Sequence, residues 1–175
     1  MSLLTIITPS HPILRRKARP IAEPRAPEIQ RLIDDMVETM RDAPGVGLAA
    51  PQVAEPVRLV VIEYAPNSED LPEDVEPPAP RLYVVINPEI TSRSEELVDG
   101  AEGCLSIPGY AGMVARHKEV TVKALNRQGR PIRIKAEGWL ARIFQHEIDH
   151  LDGVLFIDRA SRTWKIREDE EIEAE

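Results

Sequence analysis

Apolar residues recur at two spacings along this 175-residue chain, and the switches between them mark out the elements. Over residues 26–45, APEIQRLIDDMVETMRDAPG, positions Ile29, Leu32, Ile33, Met36, Val37 and Met40 keep the three-to-four step of an amphipathic helix. Pro27 suits the first turn of that helix, and Pro44 with Gly45 ends it. VRLVVIEY (57–64) is a β-branched strand. RLYVVINPEI (81–90), MVARHKEVTVKALN (113–126) and RPIRIKAEG (130–138) read as further strands, and RQG turns the last two into a hairpin. TIITP (5–9) is a short strand or an extended arm. A second helix runs from about Glu137 to Asp152, is closed by Gly153, and leads into VLFID (154–158) as a short strand. Strands fill the middle and only two helices are long, so the fold class is α+β with an N-terminal helix.

Two stretches carry no such period. Residues 65–80, APNSEDLPEDVEPPAP, hold five prolines and five acids and cannot pack a core, which makes them a surface loop rather than a linker. The acidic tail, 166–175, is expected to fray. The remainder fits one domain over residues 1–175, long enough to bury a core without staples. A net charge of −8 argues against a stable nucleic-acid partner or an anionic membrane, although LRRKAR (14–19) is locally basic. No run reaches the roughly 18 apolar residues of a membrane span, and the N-terminus makes a poor signal peptide. The single cysteine, Cys104, excludes an intrachain disulfide framework, so a reducing, cytoplasmic setting is the default.

The second helix carries the candidate chemistry. On a wheel of about 100° per residue, Leu140, Phe144, Ile148 and Leu151 share one face. Arg142, Gln145, Asp149 and Asp152 fall on the opposite face, read as the wetter one. His146 and His150 stack one turn apart on the boundary, in the order HExxH. Glu147 lies inside the apolar sector, where an unpaired carboxylate is costly unless a site needs it there. Two imidazoles rarely complete a metal site. The metzincin continuation requires a histidine where Phe156 stands. Glu168, Glu170 and Glu171 have plausible separations but sit in the charged tail. Cys104, the only thiol, lies in EGCLSIPG and is the preferred third ligand, since one thiolate with two imidazoles is an accepted set for zinc or iron. His11 and His117 read as surface residues.

GVGLAAPQ (45–52) lacks the spacing of a nucleotide loop. Its residues support two readings equally: a tight turn into the next strand, or a glycine-lined approach for a peptide with Gln52 donating to an oxyanion. Glu102 and Arg116 are candidates for a charge pair around the cysteine turn, and Ser106 has no adjacent base that would make it a nucleophile.

Three blocks, GVGLAAPQ (45–52), EGCLS (102–106) and QHEIDH (145–150), resemble in order and separation the signatures of the peptide deformylase family. The likeness covers residues from about 5 to 160, and the context GWLARIFQHEIDHLDG (138–153) resembles the class found in many bacteria and in organelles. The resemblance implies antiparallel sheets packed around a central HExxH helix. It implies hydrolysis of the N-formyl group from the initiator methionine of nascent polypeptides, releasing formate. By position it makes Cys104, His146 and His150 the metal ligands and Glu147 the general base and acid. Gln52 and the Leu105 N–H become the oxyanion donors. Main-chain groups of Val46, Gly47 and Gly103 would hold the substrate as an added strand. Val46, Arg142 and Ile143 would line the methionine pocket, Arg142 through its stem with its charge in water. The implied cofactor is one divalent ion, ferrous iron first, with zinc or nickel able to substitute. The implied partner is an N-formylmethionyl peptide met by a monomer, with at most transient ribosome contact. The sequence departs from the family pattern in VAEPVR after Gln52 and in the length of the acidic loop. A zinc endopeptidase and a non-catalytic metal-stabilised domain are the rival readings of HExxH.

Overall fold

In the strand Leu59–Tyr64 (β2), Leu59 and Val61 face one way, Val60 and Ile62 the other, and all four are fully buried. That explains a continuous apolar run rather than an alternating one: both faces of the strand are covered. The computed structural model describes residues 2–167. Before β2 come the helix α1 (Pro27–Asp42) and the short strand β1 (Gly47–Ala49). After it come β3 (Arg81–Arg93), β4 (Leu97–Cys104), β5 (Ile107–His117), β6 (Glu119–Leu125) and β7 (Pro131–Glu137). The chain then forms α2 (Trp139–Leu151), a short helix α3 (Phe156–Arg159) and β8 (Arg162–Lys165).

Two antiparallel sheets result, one of five strands in the order β1-β2-β3-β6-β7, the other of three in the order β4-β5-β8. One face of the larger sheet packs on α2, where Ala141, Phe144, Ile148 and Leu151 meet Val60, Ile62, Val85, Val120 and Val122. The other packs on α1, where Ile33, Met36, Val37 and Met40 meet Leu48, Leu59, Val61 and Ile86. The smaller sheet closes over Ile107, Val114, Leu155 and Phe156. The HExxH helix is therefore held between the two sheets.

The α+β class, both long helices and the 57–64 and 81–90 strands agree with the patterning. The predicted 126–130 turn is present, with Gly129 at φ +79° and the Asn126 side chain accepting from the N–H groups of Gln128 and Arg130. Residues 5–9 form no sheet strand and are an extended arm, tied by the Ile7 N–H to the Gln52 carbonyl at 2.8 Å. Four elements differ from expectation. The run 113–126 divides at Lys118 into β5 and β6, which belong to different sheets. β4 and β8 were not expected, being short of apolar residues. VLFID starts a helix rather than a strand, because Asp158 accepts from the Leu155 N–H at 2.9 Å and caps the first turn. Residues 66–80 are almost wholly exposed, with one helical turn at Ser68–Asp70. Nearly all of the acidic tail lies outside the described residues, as do Glu168, Glu170 and Glu171.

Candidate active site

β4 and β5 form a hairpin whose two-residue turn is Leu105–Ser106, with Cys104 paired to Ile107 across it. A register shift between Glu102 and Cys104 re-aims the end of β4. This brings Cys104 onto α2: its Sγ lies 3.4 Å from His150 Nε2. One ligand atom from each of Cys104, His146 and His150 lies within 4.8 Å of the other two.

A buried carboxylate, Glu102, explains the His146 pose. Its Nδ1 lies 2.8 Å from Glu102 Oε1. An ionised carboxylate only accepts, so the Nδ1 proton belongs to the histidine, and Nε2 is the nitrogen that would give up its proton to bind a metal. Glu102 is fully buried and receives three further bonds, from Arg116 Nε at 2.9 Å, Arg116 Nη2 at 2.8 Å and Arg142 Nη1 at 2.6 Å. Burial alone would raise the Glu102 carboxyl, but the bonds from Arg116 and His146 outweigh it and hold it well below the usual carboxylate range. Arg116 also donates to Asp149 at 2.6 Å, and Asp149 is gripped by Arg159 from α3. Phe156, standing where a metzincin would have its histidine, stacks on the His146 ring at 6.1 Å between centroids.

Glu147 is 5% exposed, and its Oε2 has no hydrogen-bond partner among the described residues. Burial, with the Glu102 charge adding to it, pushes its carboxyl up to about 7 against the pull of His146 and Arg116. Burial of His146 acts downward, but the bonds to Cys104 and Glu102 hold it well above the ordinary imidazole value. Burial and the neighbouring His146 charge push His150 well below that value. Gln52 sits in a helical turn after β1, 1% exposed. The Ala49 N–H donates to its Oε1 at 2.9 Å, and its Nε2 faces Cys104 Sγ at 3.4 Å and Ser106 Oγ at 3.2 Å. The Leu105 N–H finds no acceptor among the described turn and loop bonds.

One pocket is lined by Val46, Gly47, Gln52, Gly103, Cys104, Leu105, Arg142, Ile143, His146 and Glu147. Every expected site residue except His150, whose Nε2 is 3.4 Å from the Cys104 sulfur, opens onto it. His11 and His117 are half-buried rather than exposed, and neither joins the ligand cluster. Arg142 requires a correction. Its guanidinium does not reach water: the residue is 5% exposed and donates to Glu102, to the Val114 carbonyl at 2.9 Å and to the Val98 carbonyl at 2.6 Å. Gln145, also placed on the wet face, is buried against the backbone of His117. The β4–β5 hairpin covers this face of α2 and supplies the acceptors. The Glu102–Arg116 pair is as expected from sequence; Asp149, Arg159 and Phe156 were not anticipated at the site.

The donor set fits a divalent ion of intermediate softness, one thiol sulfur and two imidazoles with one histidine already oriented. A buried carboxylate beside such a set is the arrangement of an HExxH metallohydrolase, with a cysteine as the candidate third ligand. The polypeptide deformylase family model matches residues 3–165, and the chain belongs to that family. A peptide deformylase from Symbiobacterium thermophilum is 49% identical over 175 residues, which is 100% of this chain and 75% of the relative. The crystal structure of peptide deformylase from Ehrlichia chaffeensis superposes with a TM-score of 0.82 at 39% identity, covering 92% of this chain and 89% of that one. A Met-Ala-Ser-bound class I type b peptide deformylase from Acinetobacter baumannii gives 0.81 at 38% identity, covering 91% and 99%.

Proposed function

We propose that Cys104, His146 and His150 hold one divalent ion, and that Glu147, Gln52 and the Leu105 N–H carry out the family reaction on it. That reaction is hydrolytic removal of the N-formyl group from nascent peptides. The observation that carries the assignment is that three candidate ligand atoms lie within 4.8 Å of one another, and that Cys104 and His146 line the same pocket as Glu147, whose buried Oε2 has no partner among the described residues. A bound ion would lower the pKa of water and polarise the formyl oxygen, and ferrous iron is our first expectation, with zinc or nickel as substitutes.

Glu147 takes the proton of the attacking water and delivers it to the departing amine. A carboxyl lifted toward neutrality suits both transfers, because neither form is strongly disfavoured at working pH. Gln52 Nε2, 3.4 Å from Cys104 Sγ, and the N–H of Leu105, next in the chain to Cys104, receive the negative charge on the formyl oxygen. Glu102 keeps the His146 ring in one tautomer and orientation. Backbone at Val46, Gly47 and Gly103 is free of large side chains and pairs with an extended peptide, whose first side chain lies against Val46, Ile143 and the Arg142 stem. The Met-Ala-Ser ligand of the Acinetobacter relative is a peptide of the chemistry this pocket is read to hold.

The test is formate release from formyl-Met-Ala-Ser by freshly prepared ferrous enzyme, with acetyl-Met-Ala-Ser as control. We expect turnover of the formyl peptide and none of the acetyl peptide. Internal cleavage of unformylated peptides without formate release would instead place the chain with the endopeptidases.

A further inference from the structure

Gln52 has more partners than an oxyanion donor needs. The Ala49 N–H at Oε1 identifies which end of the amide is nitrogen, so both Nε2 hydrogens face the cysteine turn. An amide nitrogen carries two hydrogens. One is directed at the Ser106 hydroxyl at 3.2 Å, and the other at the Cys104 sulfur, a weak acceptor 3.4 Å away that lines the pocket. The terminal torsion of a glutamine is soft, so packing of its stem does not set the plane of the amide. The bonds at its two ends do, the Ala49 N–H at Oε1 and the Ser106 hydroxyl at Nε2.

Ser106 is fully buried, and the turn it occupies does not call for a hydroxyl. Neither Leu105 nor Ser106 has positive φ, and an alanine would close the same turn. A buried hydroxyl costs stability unless it is bonded, and the partner it finds here is Gln52. We propose that Ser106 is a positioning residue: its hydroxyl accepts one Nε2 hydrogen of Gln52 and so aims the other at the oxyanion. Ser106 touches neither metal nor substrate and acts only through Gln52. The inference rests on the assignment of Gln52 as an oxyanion donor. Without the hydroxyl the amide is held only at Oε1 by the Ala49 N–H and swings about that bond, so the donor points at the oxyanion for only part of the time, which weakens transition-state binding and leaves ground-state binding alone.

The experiment is a double-mutant cycle of Ser106→Ala and Gln52→Ala at matched metal content, with kcat and KM read on a formylated peptide. Loss of one well-placed hydrogen bond translates to about a tenfold fall in kcat for Ser106→Ala, with KM within about twofold of wild type. In the Gln52→Ala background, Ser106→Ala should cost nothing more. Should Gln52→Ala be impaired while Ser106→Ala keeps its kcat, or should the two losses multiply in the double variant, Ser106 does not act through Gln52. Wild-type kcat in Gln52→Ala alone overturns the oxyanion assignment, and the role of Ser106 falls with it.

Discussion

Gly47 stands against the proposed base, and replacing it with alanine tests the whole site with one methyl group. A Cβ built there would sit 2.7 Å from Glu147 Oε1 and 2.9 Å from its Cγ and Cδ. That is about 0.7 Å inside the 3.4 Å at which ordinary contact begins. Gly47 has no positive φ, so alanine brings no backbone strain and the clash is the only perturbation. The strand cannot easily retreat, since Gly47 is paired with Ile62 in β1–β2. The carboxylate can, because Oε2 has no partner to hold it. Glu147 therefore moves by several tenths of an ångström. A displacement of about 1 Å in a reacting group costs about a hundredfold, so Gly47→Ala should lower kcat on the order of tenfold to a hundredfold. Metal content should stay at wild type, since the ligand atoms are not touched. Gly103→Ala is the control: it lines the same pocket, but its Cβ would meet only the Tyr110 carbonyl, at 3.7 Å. It should act mainly on KM. Steady-state kinetics on a formylated peptide with parallel metal analysis reads both. A Gly47→Ala enzyme with wild-type kcat and full metal would show that the Glu147 position does not matter to the chemistry.

Glu147→Gln keeps the shape and removes the proton carrier; it should bind metal normally and lose at least about a hundredfold in kcat/KM, and retention of more than about a tenth would refute the assigned base. Cys104→Ser should lose most of its metal by elemental analysis, since a hydroxyl is a poor substitute for a thiolate; full occupancy would send the search for a third ligand to the acidic tail. Glu102 is held below its ordinary value in the folded protein, so its contribution to stability is complete above the unfolded carboxylate range and is lost as pH falls through that range toward the depressed folded value. Glu102→Gln should therefore lower Tm at neutral pH and flatten its fall below about pH 4, measured on metal-free protein by calorimetry; parallel acid profiles for the two proteins would contradict the charge network.

What was legible in the sequence is what a single element declares by itself. The period of α1, the β-branched run of β2 and the Asn126–Arg130 turn are local signals, and each appears within a few residues of its expected place. β4 is different. LVDGAEGC has large aliphatic residues only at Leu97 and Val98, both exposed, and its remaining length carries Asp99, two glycines and the Glu102 that it delivers to a buried cluster, so it does not look like a strand. The split of 113–126 was equally hidden, since β-branched residues continue through both strands and no glycine or proline marks the bend at Lys118.

Glu147 and Arg142 show the limit most clearly, because the same wheel places one well and the other badly. Glu147 is conspicuous as a carboxylate among apolar neighbours on its own helix, and it is indeed buried, with its Oε2 unpartnered among the described residues. Arg142 lies opposite the apolar stripe, which reads as solvent, yet that side of α2 faces the β4–β5 hairpin. Burying a guanidinium there depends on three acceptors from residues 98, 102 and 114. It also depends on Gly100, where a Cβ would sit 2.7 Å from the guanidinium carbon. None of these belongs to the helix. With Arg116, Arg142 lets Glu102 remain ionised at full burial, and an ionised Glu102 is what fixes the His146 tautomer. Arg142 thus serves twice, its stem walling the pocket and its charge supporting the ligand. Only the second use requires the three-dimensional fold to be seen.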